Sequence, residues 1–506
     1  MLRSTRQSAR NGARPVQPAP LRRPGAVARG AAGRSAAGPL GSIAHPLCRE
    51  DENRHLHAYE CDVKAAFDHI VPTLKQVSAL QHEANFEDQA QRIARERLDF
   101  ELPADILQDA WVEQLDMRRL FAWCVFSTYR RYCDDYYQND PLASREDGGF
   151  DAFLQACGFH TLDISPCADG RLAHLVRYVL RLPQQAVRRK SYAGALFDIE
   201  DSIQKWTEVE LQRFREGVPN TADAATRYLK VVIYHYSSVD PHHQGCAAHG
   251  SDTAAAARAG LERLEAFREA IENSFCCGAS IDLLLIGMDT DTDAIRVHVP
   301  DEQGAIDLES SVDALALFDA TTRQSDSEAT RAIASAVREC SPRVQPGMAQ
   351  LIERLLENNL SQIAYVRSNH GAHYADIGHA ERFIGAGVGF EEVQLRNLMY
   401  FAYLNTVEEA TADLDVGIKI FAGLNVSHGL PVPVIVRFDH HGHVPGSRER
   451  AEQHCGRVAG ALQARYADLV DRGLLHVLQV TRDCDDDGSI ELLACSVNAQ
   501  TQAGGH

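Results

Sequence analysis

Apolar residues recur at helical spacing through residues 50–140, the first clearly patterned part of the chain. The spacing predicts helices over residues 61–79 and 86–98, and Pro103 marks the start of a third helix over residues 105–137. A loop is predicted to end this helical region. Aromatic side chains of the third helix are predicted to lie in the core rather than around a ligand: Trp111, Trp123, Tyr129, Tyr132 and Tyr136.

Beyond residue 150 the pattern changes to short β-type runs that alternate with long helical stretches. One helix, over residues 253–275, separates the second run from the third, and a connection that contains a helix joins parallel neighbours. This alternation predicts an α/β region with a largely parallel sheet. The predicted strands are residues 160–165, 231–237, 281–288 and 295–299.

A weak internal repeat links residues 230–299 with residues 433–494. In both stretches a strand, a helix, a strand, an acidic turn and a final strand follow one another. The acidic turns read DTDTD at 289–293 and DCDDD at 483–487. They are predicted to be hairpin turns, since neither has the full ligand spacing of a calcium-binding loop. The repeat therefore predicts two similar α/β lobes.

The composition is that of a globular protein, with 45% hydrophobic and 24% charged residues in a chain of 506. At about 150 residues per domain, this length suggests roughly three domains. No apolar stretch approaches the roughly 18 residues that a membrane-spanning helix needs, so we expect no such helix. Thirteen scattered cysteines indicate reduced thiols, some of which are available as metal ligands.

The first 48 residues differ from the rest of the chain in composition and charge. They are rich in Ala, Gly, Pro and Arg, and they contain eight arginines and no acidic residue. Their apolar surface is too small to offset the entropy cost of ordering, so residues 1–48 are predicted to be disordered. A cationic tail that docks on an acidic partner, a cleaved organelle transit peptide and a solvated tail without a role are all compatible with this composition.

The rest of the chain is strongly acidic. The net charge of the protein is −19, and because the tail contributes +8, residues 49–506 carry −27. Such a body repels nucleic acid and anionic membranes, so we expect neither as a partner.

Three polar residues follow the first predicted strand in the sequence PCADGR: Cys167, Asp169 and Arg171. Alternate residues of an extended segment point the same way, so these side chains can converge on one face. Taken singly, a buried cysteine is usually a small apolar residue, and an Asp–Arg pair is usually a surface ion pair. The three together are candidates for a reactive site.

Two further candidates lie near the end of the next predicted strand. His235 is late in the strand over residues 231–237, and Cys246 is in the loop before the helix over residues 253–275. Two cysteines and a histidine at the ends of neighbouring parallel strands form a plausible zinc site with a fourth position open for water. Asp169, held ionised by an arginine, can accept a hydrogen bond from zinc-bound hydroxide.

The motif Cys-x-Asp-x-Arg, followed by a distant His and Cys, resembles the β-class carbonic anhydrases. Longer stretches resemble the carboxysomal branch of that class: YHYSSVDPHHQGCAAHGS (234–251), HYADIGHAERFIG (373–385), NLMYFAYLNTVEEATADLDVG (397–417) and GLPVPVIVRFDHHG (429–442). The resemblance covers nearly the whole chain from about residue 50. It implies zinc ligands Cys167, His235 and Cys246, one Zn²⁺ per chain, and Asp169 with Arg171 as the catalytic dyad.

The resemblance also implies an α/β fold with a helical N-terminal domain at 50–143, behind the disordered tail at 1–48. A zinc-bearing catalytic domain at 144–385 and a related C-terminal domain at 386–506 then form two β-carbonic-anhydrase-like lobes with largely parallel sheets. The second lobe is expected to lack zinc. The position that matches His235 falls near Phe438, and no cysteine occupies the position of Cys246.

The identity of the histidine ligand is ambiguous in the sequence. Typical β-class enzymes place it three residues before the second cysteine, a spacing that His243 has, whereas the carboxysomal branch uses the spacing of His235. The strand position favours His235, since strands fix ligands better than loops do. On this interpretation His242, His243 and His249 are solvated loop residues.

The implied function is reversible hydration of carbon dioxide to bicarbonate by a zinc-dependent carbonic anhydrase, with zinc-bound hydroxide as the nucleophile. Inside a carboxysome, a bacterial microcompartment in the cytoplasm, the useful direction is dehydration, which supplies carbon dioxide to Rubisco. His370, His373 and His379 are candidates for proton transfer, with a helix cap or surface position as the alternative. The implied partners are Rubisco, through the tail, shell proteins, and further copies of the chain in at least a dimer.

Two other functions compete with this one. The chain can be a non-enzymatic carboxysome scaffold protein with a closed structural zinc site, in which Asp169 is the fourth ligand. Turnover, rather than zinc content, separates that hypothesis from the enzyme. The chain can also be an organelle-targeted α/β enzyme of unknown chemistry that loses residues 1–48 as a transit peptide.

Overall fold

The computed structural model describes most of the chain from His45 onward. The described residues are 45–139, 142, 149–183, 187–218, 220–221, 225–275, 279–403, 411–485 and 489–497. Residues 1–44 lie outside this set, and disorder there stays a prediction. The His45 ring stacks on Phe318 with 4.7 Å between centroids, and its Nε2 lies 2.9 Å from Thr321 Oγ1. Packing thus begins before the predicted boundary at residue 48.

Within the described residues, no helix combines the length and the apolar character needed to cross a membrane.

The N-terminal region is helical, as predicted, but its helices have different bounds. They are α1 Glu50–Asp68, α2 Ile70–Ala79, α3 Phe86–Leu98, α4 Ala104–Asp109 and α5 Met117–Asn139. The single helix predicted over residues 61–79 is wrong, because two helices meet there and the first begins earlier. The buried face of α1 includes the polar residues Asn53 and Glu60, which an apolar pattern does not detect.

The third predicted helix, over residues 105–137, is broken into α4 and α5. Trp111 lies in the connection between them and is 65% exposed, with its Nε1 donating to Glu87 Oε1 at 3.1 Å. Its assignment to the core is therefore wrong, because the chain leaves the helical path before this residue. The other aromatic residues are buried or half-buried: Trp123, Tyr129, Tyr132 and Tyr136.

The first α/β lobe contains the four strands predicted for it. Its elements are α6 Phe150–Ala156, β1 Thr161–Pro166, β2 Arg188–Arg189, α7 Ile199–Arg215, β3 Thr226–Tyr236, α8 Thr253–Ser274, β4 Ala279–Asp289, β5 Ile295–His298, β6 Val312–Asp313, α9 Ala314–Thr321, α10 Asp326–Cys340 and α11 Pro346–His370. The strands are ordered β2-β1-β3-β4-β5-β6. The first four strands in this order pair parallel, whereas β5 pairs antiparallel with both β4 and β6. This pairing confirms the largely parallel sheet.

The first acidic turn joins the antiparallel strands β4 and β5, so it is a hairpin turn as predicted. It is also buried, because its carboxylates hold the loop that follows β3. Ser238 Oγ donates to Asp289 Oδ2 at 2.7 Å, and Ser237 Oγ donates to Asp291 Oδ2 at 2.6 Å.

The second lobe repeats this plan. Its elements are β7 Phe383–Gly387, β8 Met399–Tyr403, α12 Thr411–Leu424, β9 Val432–Arg437, α13 Ser447–Arg465, α14 Ala467–Asp471, β10 Leu475–Thr481 and β11 Glu491–Cys495. The strands are ordered β11-β10-β9-β7-β8, with four parallel strands closed by an antiparallel β11. Of the second acidic turn, residues 486 and 487 lie outside the described residues.

The N-terminal helices cover one face of the second sheet. Side chains alternate along β9, so that Ile435 packs in the same apolar core as α5, while Val434 and Val436 pack with α12 and α13 on the other face. A mostly parallel sheet is buried on both faces, which explains why its strands are almost continuously apolar. The carboxyl ends of the strands remain free for a site.

Candidate active site

Cys167, Asp169 and Arg171 follow β1 at the carboxyl end of the first sheet. Cys167 N donates to Ile233 O at 3.2 Å, which continues the pairing with β3 beyond the end of β1. The chain then turns, and Asp169 caps a 3₁₀ turn over Gly170–Leu172 by accepting a hydrogen bond from Arg171 N at 2.9 Å. This turn returns the Arg171 side chain to Asp169.

His235 and Cys246 reach the same end of the sheet from β3 and from the loop after it. His235 is the penultimate residue of β3 and is in register with Met288 of β4. Before Cys246 the loop makes a tight turn, in which Gln244 N donates to Asp240 O at 2.9 Å. The His235 side chain is therefore positioned by a strand and the Cys246 side chain by a hydrogen-bonded turn.

The structure brings the side chains of Cys167, His235 and Cys246 together. Their ligand atoms all lie within 4.8 Å of one another, and the two sulfur atoms are 4.0 Å apart. The residues are 6%, 1% and 4% exposed, so the cluster is buried. Two thiols and an imidazole are the donors that Zn²⁺ prefers, and the cluster fits a zinc ion.

His243 faces away from this cluster. Its side chain is 78% exposed and its Nδ1 lies 2.9 Å from Asp240 Oδ1. His242 is also exposed, whereas His249 is half-buried, with Nε2 3.2 Å from Gly194 O. The geometry favours His235 as the histidine beside the two thiols.

Asp169 and Arg171 form a buried, two-point ion pair next to His235. Arg171 Nε donates to Asp169 Oδ1 at 2.9 Å and Arg171 Nη2 donates to Asp169 Oδ2 at 2.7 Å. His235 Nε2 is 3.3 Å from Asp169 Oδ2. Arg171 Nη1 also donates to the backbone oxygens of Gln244 and Ile377, at 2.6 and 3.0 Å. One guanidinium thus connects the Asp169 carboxylate to two other chain segments, at Gln244 and at Ile377.

Charges in the cluster shift the pKa of several groups. Burial alone would raise the pKa of Asp169, but Arg171 and His235 hold it well below its usual range, so the carboxylate is ionised. Burial alone would lower the pKa of His235, but Cys167 and Asp169 raise it to about 9. The hydrogen bond between the thiols raises the pKa of Cys167 and lowers that of Cys246. Metal binding displaces the protons held here.

A cavity of about 350 Å³ opens beside the cluster, between the two lobes. A Cβ on Gly194, whose φ is +67°, would lie 2.9 Å from the Ala248 side chain, so glycine is needed for the close approach of these two segments in the cavity wall. The small residues of the first lobe that line the cavity are Ala193, Gly194, Ala247 and Ala248. The second lobe contributes Tyr400, Val416, Lys419 and Ile420.

His379 also lines the cavity, whereas His370 and His373 do not. Its Nδ1 lies 3.0 Å from Glu381 Oε1, and one ligand atom each of Asp169, His379 and Glu381 lies within 4.8 Å of the others. Burial alone would lower the pKa of His379, but Asp169 and Glu381 raise it to about 9. Of the three histidines predicted as proton carriers, His379 is the one at the site.

Sequence reasoning missed the contribution of the second lobe. Tyr400 belongs to the stretch 397–417 that resembles the carboxysomal branch, and Lys419 lies two residues beyond it, but nothing in the pattern of either indicates that it faces Cys167. The carbonyl acceptors of Arg171 were also missed, because backbone oxygens leave no trace in a sequence. The repeat of two similar lobes was the one available signal, since a site between two lobes draws residues from both.

Comparisons with known proteins identify the family of the chain. Three family models match in succession: Carboxysome Shell Carbonic Anhydrase, N-terminal at residues 45–137, catalytic domain at 149–379 and C-terminal at 380–497. A carboxysome shell carbonic anhydrase of Prochlorococcus marinus is 55% identical over 458 residues, which are 90% of this chain and 89% of the relative.

Two further relatives carry the same name. That of Parasynechococcus marenigrum is 54% identical over 91% of this chain and 80% of its own length. That of Halothiobacillus neapolitanus is 43% identical over 89% of this chain and 90% of its own length. These matches confirm the predicted enzyme class, carbonic anhydrase, and the predicted location, the carboxysome. The chain belongs to the carboxysome shell carbonic anhydrase family.

Proposed function

We propose that Cys167, His235 and Cys246 hold one Zn²⁺ per chain and that this site interconverts carbon dioxide and bicarbonate. The proposal rests on one observation, a buried cluster of two thiols and an imidazole in contact with the Asp169–Arg171 pair. A zinc ion held by these three residues would supply Lewis acidity and would lower the pKa of coordinated water, which is the chemistry that hydration of carbon dioxide needs.

Asp169 orients the attacking oxygen. Because Arg171 keeps the carboxylate ionised, Asp169 accepts a hydrogen bond and does not donate one. An O–H group at the cluster therefore points its hydrogen at Asp169 and leaves its lone pairs for the substrate. Arg171 is a positioning residue, since it acts through Asp169.

The open site is favoured over a closed structural one. Both oxygens of Asp169 are engaged by Arg171, at 2.9 and 2.7 Å. If Asp169 became the fourth zinc ligand, it would have to give up part of this pair and leave a buried guanidinium without its partner, which is costly. The scaffold hypothesis requires that rearrangement, whereas the enzyme does not.

The cavity suits both forms of the substrate. Small apolar side chains, among them Ala193 and Ala247, offer carbon dioxide a surface without hydrogen-bonding groups. Lys419 and His379 line the same cavity and supply positive charge for bicarbonate. With a pKa of about 9, His379 is protonated at neutral pH, so it can donate the proton that dehydration of bicarbonate consumes.

We also propose that the second lobe holds no zinc. When the acidic turns that begin at Asp289 and Asp483 are matched, the strand register within each sheet puts Asp439 at the position of His235, one residue beyond the predicted position near Phe438. It puts Val388 at the position of Cys167. A valine in place of a thiol removes a ligand.

In the second lobe, a buried arginine with two carboxylates lies at the strand ends that correspond to the zinc site of the first lobe. Arg437 donates to both carboxylate oxygens of Glu392, at 2.8 and 2.9 Å, and to both of Asp439, at 2.7 and 2.8 Å. Each charged group is paired by hydrogen bonds. The second lobe therefore uses an arginine and two carboxylates to hold strands that a zinc ion would hold in the first lobe.

For the tail we propose docking on Rubisco. Residues 1–48 carry eight arginines and no acidic residue, so they suit an acidic partner surface through several weak, salt-sensitive contacts. Dehydration of bicarbonate is then the useful direction, because it delivers carbon dioxide next to the enzyme that consumes it. Shell proteins as further partners and a homo-oligomer of at least two chains complete this proposal.

The test is stopped-flow hydration of carbon dioxide with purified, reduced protein, alongside its zinc content. We expect Cys167→Ala to lose both turnover and the zinc of this site, because the cluster loses a ligand. Cys61→Ala, at an exposed cysteine far from the cluster, is the matched control and should keep both. Fast turnover in Cys167→Ala would overturn the site, and zinc without turnover in the unmodified protein would favour the closed scaffold.

A further inference from the structure

Two imidazoles and a carboxylate meet at the carboxyl end of the second sheet, outside the proposed carbonic anhydrase site. His441 and His443 follow β9, and Asp485 lies in the turn after β10. His441 Nδ1 is 2.8 Å from Asp485 Oδ1, and His443 Nδ1 contacts Asp485 Oδ2. One ligand atom from each residue lies within 4.8 Å of the other two. We call this group the His441–His443–Asp485 cluster.

The backbone holds the two segments in place before any ligand arrives. His440 N donates to Arg482 O at 2.9 Å, and Cys484 N donates to His440 O at 2.7 Å, so the loop and the turn pair like strands. His443 N also donates to Asp485 Oδ2 at 3.0 Å. The cluster is therefore preorganised, which reduces the entropy cost of binding.

The first lobe has the same loop and turn but different side chains. When the acidic turns that begin at Asp289 and Asp483 are matched, the strand pairing within each sheet puts His441 at the position of Ser237. The same match puts Asp485 at the position of Asp291. Ser237 Oγ donates to the fully buried Asp291 at 2.6 Å, a purely structural contact. In the second lobe an imidazole replaces the hydroxyl, His443 adds another, and the Asp485 side chain is 31% exposed. A structural contact in one lobe thus corresponds to an accessible set of metal ligands in the other.

We propose that His441, His443 and Asp485 bind a divalent transition-metal ion of the zinc, nickel and copper group. Imidazole nitrogen is a preferred donor for these ions, whereas calcium and magnesium take oxygen donors. The side chains of His441 and His443 are 59% and 72% exposed, so water completes the coordination. The ion links the β9 loop to the β10 turn and stabilises this corner of the lobe.

The experiment uses the full chain loaded with its own zinc and dialysed against added Zn²⁺, with bound metal measured by elemental analysis and Tm by calorimetry. We expect the unmodified protein to bind one Zn²⁺ ion more per chain than either His443→Ala or Asp485→Asn. Added Zn²⁺ should raise the Tm of the unmodified protein and leave the Tm of both variants unchanged. His428→Ala, an exposed histidine of the same lobe, is the matched control and should bind as the unmodified protein does. Hydration of carbon dioxide should be the same in all four proteins.

Two results would overturn the second site. One is equal Zn²⁺ uptake by the unmodified protein, His443→Ala and Asp485→Asn. The other is a loss of Zn²⁺ uptake in His428→Ala as large as the loss in those two variants. Cys167→Ala separates this result from the fate of the proposed active site. It should lose the buried ion and keep the one at His443. Loss of the ion at His443 with the buried ion intact would leave the carbonic anhydrase proposal standing.

Discussion

Arg171 connects several parts of the chain at the candidate active site. It holds both oxygens of Asp169 and donates to the backbone oxygens of Gln244 and Ile377. Gln244 lies two residues before Cys246, so the guanidinium also fixes the loop that carries one thiol. The orientation of the Asp169 carboxylate and the placement of the loop that carries Cys246 therefore both depend on the buried guanidinium of Arg171.

Asp169→Asn should retain zinc and lose turnover, because an amide can donate a hydrogen bond as well as accept one and so no longer selects one orientation of the attacking oxygen. Loss of one oriented proton acceptor typically lowers turnover by about 10²-fold or more. Stopped-flow hydration and zinc content measure the two effects separately. The control is Asp240→Asn, which changes a carboxylate in the loop before Cys246 that does not belong to the Asp169–Arg171 pair and should leave turnover unchanged. Unchanged turnover in Asp169→Asn would remove this residue from the mechanism.

His379→Ala should slow the dehydration of bicarbonate while the protein stays folded. The pKa of His379 is raised to about 9, so its proton is available for donation below that pH and is lost as the pH rises through 9. The defect should therefore be largest at neutral pH, on the order of 10²-fold, and added imidazole buffer should restore part of the rate. His373→Ala, outside the cavity, should behave like the unmodified protein. A defect that imidazole does not relieve would assign His379 to packing.

At the scale of elements, β9 carries a buried charge network that holds the second lobe together. The guanidinium of Arg437 is fully buried between Glu392 and Asp439. Removal of the arginine leaves two buried carboxylates without their main partner. Breaking such a buried pair costs about 3–5 kcal/mol, whereas replacing all its members together can cost little.

We therefore expect Arg437→Ala to lower the free energy of unfolding by about 3–5 kcal/mol, measured by urea denaturation. Arg448→Ala, at an exposed arginine of α13, should change it little, since exposed ion pairs contribute little to stability. Stability in Arg437→Ala equal to that of Arg448→Ala would show that the buried network does not support the lobe.

At the scale of the whole molecule, the sequence predicted the two lobes better than their interface. Apolar runs between helical stretches identified four of the six strands of the first sheet, because a sheet covered on both faces needs such runs, whereas the two-residue strands β2 and β6 are too short to show a pattern. The start of α1 was missed, since Asn53 and Glu60 lie on its buried face. Tyr400 and Lys419 were missed as cavity residues for a different reason. Their contact with the first lobe depends on how two lobes dock, and local periodicity carries no information on docking.

The tail and the packed protein meet near His45, and truncations on either side of this residue should have different effects. A chain that starts at His45 should keep its carbon dioxide hydration rate and its Tm, and should lose salt-sensitive binding to purified Rubisco, because the arginines of the tail are gone. A chain that starts at Arg49 should in addition lose stability, because the His45 ring no longer packs on Phe318 or contacts Thr321. Binding is measured against ionic strength and stability by calorimetry. Rubisco binding that survives the shorter truncation would place the docking surface elsewhere in the protein, and a loss of turnover there would show that the tail contributes to the active site.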